Sequence, residues 1–211
     1  MAVKKFLFDL GNVFFDWSPE RVLKPMFGDD ERMKFFINNV SFPLLDGRCD
    51  AGVKIEVAVK DAIEKFPEFE KEIKLYYPNH RNMVGGFFQK TVDIFYKVKE
   101  LNYPCYILSN WSAETYEGME DQYPFLKEFD GKIISGRDFL IKPDPAIYEL
   151  AISRFDLIPE ETLFIHDRLD NIEAAQKLKF QTIHLTDPSF CLLYTSPSPR
   201  DLSTSRMPSS A

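Results

Sequence analysis

Five short apolar runs, at residues 4–10, 104–109, 132–135, 162–166 and 182–185, constrain this chain more than any other feature. The first is an apolar run ending in Asp9 rather than an alternating one, the pattern of a strand buried on both faces, and the others repeat that shape. Helical patterns at 88–101, 112–119, 145–155 and 170–178 interleave with them. Asp144-Pro145 suits a helix start, because a carboxylate caps the first turn and proline there loses no hydrogen bond. Strands that alternate with helices of this length need crossover connections, and therefore a parallel sheet. The expected fold is α/β, with a Rossmann-like parallel-sheet core.

Residues 18–86 break that rhythm. They read as helices at 20–27, 30–39, 53–66 and 68–76 with no buried-strand run among them. The simplest organisation is a core made of 1–17 and 87–190, with 18–86 as a helical cap inserted after the first strand. Gly85-Gly86 and the segment from Phe14 to Trp17 are the candidate hinges. Residues 191–211 are rich in Ser and Pro without periodicity, and resemble the in-frame translation of a sequencing-library transposon adapter. They are expected to be disordered and to stand in place of the natural C-terminus.

The 211 residues carry a net charge of −7, which gives no electrostatic reason to seek nucleic acid or an anionic membrane. A small anionic substrate is compatible with that charge, because a bound cation inverts the local field. Cys49, Cys105 and Cys191 show no paired spacing, against both a disulfide framework and a zinc site. With no apolar run near the ~20 residues of a membrane span and no leader-like start, the expectation is a reduced, cytoplasmic protein. Its oligomeric state is not legible.

Ligands of open parallel sheets bind at the carboxyl ends of the strands. There the runs end on Asp9, on Ser109-Asn110 and on His166-Asp167, and Lys142 precedes the helix leading into the fourth run. Two carboxylates, a lysine and a hydroxyl at one sheet edge suit phosphoryl transfer. Carboxylates hold a hard cation, lysine neutralises phosphate, and hydroxyl and backbone N–H groups fix the remaining oxygens.

Phe8-Asp9-Leu10-Gly11-Asn12-Val13, Leu108-Ser109-Asn110, Ile141-Lys142-Pro143-Asp144-Pro145 and Phe164 to Asn171 resemble the four ordered motifs of the haloacid dehalogenase superfamily. The Asp-Leu-Gly-Asn-Val opening is similar to that of bacterial sugar-phosphate phosphatases with a helical cap. The resemblance implies that Asp9 attacks phosphorus to form an aspartyl-phosphate, and that Asp9, Asp167 and the Gly11 carbonyl hold Mg²⁺. It implies phosphate contacts from Ser109, Asn110 and Lys142, and support of the metal loop by His166, Asp170 and Asn171. Leu45, Asp46 and Arg48 correspond to a cap specificity loop, and His80 and Arg81 are candidates for a second anionic group. The implied substrate is a small phosphorylated metabolite.

The chain departs from the family pattern at two positions. Most superfamily phosphatases carry an acid–base Asp where this chain has Gly11, and Asp16 is the candidate replacement. His166 stands where relatives commonly have Asp. Two other readings stay open: a 2-haloacid dehalogenase, which uses the same Asp without metal, and a non-catalytic binding or regulatory relative.

Overall fold

The structure is a computed structural model that describes residues 2–187, so the expectations for 191–211 lie outside the described residues. Strands β1 (Lys5–Phe8), β4 (Cys105–Ser109), β5 (Gly131–Ile134), β6 (Thr162–His166) and β7 (Gln181–His184) form one sheet in the order β5-β4-β1-β6-β7. Every neighbouring pair is parallel, with Phe6 opposite both Cys105 and Leu163. β2 (Phe15–Trp17) and β3 (Val84–Phe87) form a separate antiparallel pair.

The continuous apolar runs are explained by the two faces of the sheet. Phe6 and Phe8 point into one core with Phe14, Phe95 and Phe129, whereas Leu7 points into the other with Leu108, Tyr148 and Phe164. Helix α6 (Gln89–Glu100) supplies Phe95 to the first face; α10 (Pro145–Phe155) and α11 (Leu169–Lys177) supply Tyr148 and Ile172 to the second. The Asp144 carboxylate accepts the Ala146 N–H at 2.9 Å and caps α10, with Pro145 in its first turn.

Between β2 and β3 lies a helical insertion: α1 (Glu20–Leu23), α2 (Asp30–Phe36), a π-helical stretch at Ile37–Asp46, α3 (Gly47–Asp50), α4 (Ile55–Lys65) and α5 (Glu70–Tyr76). It has an apolar core of its own that includes Leu23, Phe36, Leu45, Ile73 and Tyr76. The expected helix at 30–39 instead widens into the π-helical stretch, which contains Pro43. Proline has no N–H for an ordinary helical ladder, so a helix read through this segment has to change form. The helix expected at 112–119 is two single turns, α7 (Ala113–Tyr116) and α8 (Met119–Gln122), separated by Gly118 at φ 79°. α9 (Ser135–Asp138) follows β5. The segments taken as hinges are paired with each other: Phe15 faces Phe87 and Trp17 faces Val84. Among the described residues, no helix is long and apolar enough to cross a membrane. Cys49 and Cys105 are buried free thiols.

Candidate active site

Asp9 follows β1 at the centre of the sheet, and its backbone N–H is held by the Ile165 carbonyl at 3.1 Å. The side chain is buried. Lys142 Nζ has three acceptors around it: Asp9 Oδ1 at 2.6 Å, the Leu108 carbonyl at 2.7 Å and His166 Nε2 at 2.9 Å. An ammonium has three protons, so this lysine is fully satisfied although only 3% exposed. Burial pushes the Asp9 carboxyl up, but His166, Lys142 and the Leu10 backbone outweigh it and hold the group below the usual carboxylate range. Burial moves Lys142 the other way, down, against the pull of Asp9.

The position of Lys142 depends on Asn110. Its side-chain amide donates to the Lys142 carbonyl at 3.0 Å and accepts the Lys142 N–H at 2.9 Å, gripping both backbone groups of one residue. The sequence reading assigned Asn110 a phosphate contact through its backbone and missed this clamp. Ser109 is buried at the end of β4, and the cavity wall beside it consists of Asn110 and Trp111.

His166 ends β6. Lys142 Nζ and Asn171 Nδ2 both lie 2.9 Å from Nε2, and since lysine can only donate, Nε2 accepts. Nδ1 accepts the Arg168 backbone N–H at 3.0 Å and lies 2.8 Å from Asp167 Oδ1. Asp167 Oδ2 accepts from Asn12 Nδ2 at 3.1 Å, and Asn12 Oδ1 in turn takes the Trp17 N–H at 3.2 Å. Asn12 has a left-handed φ of 53°, which asparagine tolerates better than most residues. That Gly-Asn step was the available signal for a residue the sequence reading left without a role.

Asp9, His166 and Asp167 each offer a ligand atom within 4.8 Å of the others, a potential divalent-cation site. His166 therefore stands inside the cluster rather than behind it. The two carboxylates of this cluster supply oxygen donors, which suit a hard cation. Asp170, expected to steady the metal loop, instead forms a two-pronged pair with Arg168 at 3.1 and 2.6 Å and accepts the Asn171 N–H at 2.9 Å. Its partner is the exposed guanidinium two residues before it in sequence. Asn171 is buried and does reach the centre, through His166.

Above the sheet edge is a cavity of about 590 Å³ whose wall includes Lys142, His166 and Asp167 from the core and Asp46, Asp50 and His80 from the helical insertion. Asp46 Oδ2 accepts from Tyr76 Oη at 2.5 Å and lies 3.3 Å from Ser41 Oγ, whereas buried Oδ1 has no partner. Burial pushes its carboxyl up to about 7, only partly countered by Tyr76 and Ser41. Burial also drives His80 down to about 4, so at neutral pH it is an uncharged ring stacked on Tyr77. A buried uncharged imidazole cannot pair with a second anionic group in the way expected of it. Four other expectations need correction. Leu45 is fully buried in the insertion's own core, Arg48 pairs with Asp61 at 2.8 Å, and Arg81 donates to the Glu117 carbonyl. Asp16 pairs with Arg21 and is half-exposed, so it does not replace the side chain missing at Gly11.

A family model described as haloacid dehalogenase-like hydrolase matches residues 51–185. Over 98 residues the chain is 28% identical to a sesquiterpene phosphatase of Aspergillus oryzae, covering 46% of this chain and 50% of that protein. Over 62 residues it is 36% identical to acyl-CoA dehydrogenase family member 10 of Mus musculus, covering 29% of this chain and 6% of that one. The chain thus spans half or less of the length of these curated relatives. Among solved structures, a magnesium complex of a HAD-family enzyme from Bacteroides thetaiotaomicron superimposes with a TM-score of 0.68 at 21% identity, over 87% of this chain and 93% of that one. An L-2-haloacid dehalogenase gives 0.63 at 20% identity, over 86% of each chain. At these identities the likeness shows the fold alone.

Proposed function

The chain belongs to the haloacid dehalogenase-like hydrolases, and from that membership we propose that it hydrolyses a small phosphomonoester, Asp9 being the nucleophile. The observation that carries this reading is the buried Lys142–Asp9 pair at 2.6 Å with a second carboxylate, Asp167, in the same cluster. A carboxylate attacks only when ionised, and the pair keeps Asp9 so at neutral pH. Lys142 occupies Oδ1, which leaves Oδ2 the freer oxygen for bond formation to phosphorus.

In the aspartyl-phosphate the Lys142 ammonium faces both the acyl oxygen and the phosphoryl charge. Asn110 holds that ammonium in register by fixing the Lys142 backbone. Asn12 orients Asp167 by donating to its Oδ2, and His166 Nδ1 stands 2.8 Å from the other oxygen. Asp9, Asp167 and the Gly11 carbonyl are the groups that would hold Mg²⁺, which when bound neutralises phosphate charge. The helical insertion acts as a cap that closes the cavity and sets which phosphomonoester enters it. The cavity volume, about 590 Å³, suits a metabolite-sized substrate.

The test is release of inorganic phosphate from 4-nitrophenyl phosphate and from a panel of phosphometabolites, with and without Mg²⁺. Magnesium-dependent release supports the reading. Halide release from a 2-haloacid without metal, in the absence of phosphatase activity, would replace it with the dehalogenase alternative. No turnover of either class would leave a binding protein.

A further inference from the structure

Position 11 has no side chain, yet nothing fills the space a side chain would take: a Cβ built on Gly11 meets only Asp9 Oδ2, at 3.9 Å. A leaving alkoxide still needs a proton. Two carboxylates reach the same cavity from the cap, Asp46 and Asp50, four residues apart at the two ends of α3. Asp46 is anchored inside the cap by Tyr76. Asp50 sits where the cap meets the core, and the Ser112 backbone N–H donates to its carboxylate. Two further ties fix this segment. The Ile55 N–H donates to Glu114 Oε1 at 2.8 Å, and the Phe139 ring lies so close over Gly52 that a Cβ there would stand 2.4 Å from it. With φ at 93°, Gly52 also turns the chain in a way that glycine alone adopts without strain.

We infer that Asp50 is the proton donor to the leaving group, delivered by the closed cap in place of the residue missing at position 11. The inference rests on the phosphomonoesterase reading above. As the P–O bond breaks, its electron pair goes to the leaving oxygen, which takes the proton from the Asp50 carboxyl while Asp9 Oδ2 bonds to phosphorus. In the second half, the Asp50 carboxylate takes a proton from the attacking water, and the Asp9–phosphorus electron pair returns to Asp9. Asp50 ends protonated, ready for the next cycle.

The surroundings favour the protonated form of Asp50. Burial is the main cause, the charge of Asp46 adds to it, and Lys142 and the Ser112 N–H pull only partly the other way; together they hold the carboxyl well above the usual range. Asp9 across the cavity pushes in the same direction as Asp46. The remaining titratable groups on the wall are His80 from the cap and His166, Asp167 and Arg168 from the core.

Asp50→Asn tests this in the full chain with Mg²⁺, since the amide oxygen still accepts the Ser112 N–H. The probes are propyl phosphate, whose alkoxide must be protonated, and 4-nitrophenyl phosphate, whose leaving group departs as the anion. Turnover of propyl phosphate should fall by about 10²–10⁴-fold, the range of general acid catalysis, while single-turnover release of 4-nitrophenolate falls far less. Equal losses on both probes would overturn the assignment. If the variant does not fold, Asp46→Asn serves instead. Removing the like charge lowers the Asp50 value, so the high-pH limb of kcat/KM for propyl phosphate moves to lower pH, and an unmoved limb refutes the proposal. Wild-type inactivity on both probes would overturn the phosphatase reading itself, and this one with it.

Discussion

Replacing Lys142 by methionine isolates the interaction on which the site depends. The substitution keeps most of the side chain's volume but removes the charge that faces Asp9 Oδ1, the Leu108 carbonyl and His166 Nε2. Asp9 is only 5% exposed, so its carboxylate is left with little water to replace the lost partner. Breaking a buried ion pair from one side costs about 3–5 kcal/mol, because the remaining charge keeps its desolvation penalty without compensation. In a chain of this length each kcal/mol lowers Tm by about 2–4 °C, so a fall of roughly 6–20 °C is expected. The assay is urea unfolding with chelator present, reading the midpoint at constant slope, together with phosphate release. Activity should be lost with the stability. A loss below about 1 kcal/mol, the range of solvent-exposed pairs, would refute the argument by showing that water screens the pair.

Asp9→Asn should abolish phosphate release while leaving the far-ultraviolet dichroism unchanged, since the amide is isosteric; retention of more than a few per cent of turnover would rule out Asp9 as nucleophile. Asn110→Ala removes two hydrogen bonds to the Lys142 backbone, worth about 1–3 kcal/mol together. Its effect on kcat should be large, because about 1 Å of misplacement can cost 10²-fold; a stability loss with unchanged kcat would show that Lys142 holds its place without the clamp. Leu45→Ala should cost about 2–5 kcal/mol in thermal or urea unfolding, as expected for a fully buried leucine. Its KM should stay unchanged, and a selective rise in KM would return Leu45 to the substrate-contacting role its position in the chain suggested.

The sequence by itself determined the core. Short apolar runs alternating with helical patterns suit strands covered on both faces, so Lys5–Phe8 and Thr162–His166 were legible as central strands, and the acid or histidine ending each run was legible as part of a candidate site. Asp144-Pro145 announced α10 because capping chemistry is local. The groups that gather around Asp9 were therefore readable one motif at a time, each from its own neighbours in the chain.

Partnership was decided by the tertiary structure alone. Nothing local says that the Asn110 amide grips Lys142, 32 residues on, or that Asn12 reaches Asp167, 155 residues away. Within the helical insertion the structure separates the side chains that the sequence reading had grouped. Asp46 faces the cavity, but Leu45 turns into the cap's core and Arg48 toward Asp61, because a π-helical stretch leading into a single helical turn sets side-chain directions that ordinary helical spacing does not predict. Asp50 was passed over for the same reason. A carboxylate near the end of a short helix reads as solvated surface until the core, through Phe139, Glu114 and Ser112, packs against the segment that carries it.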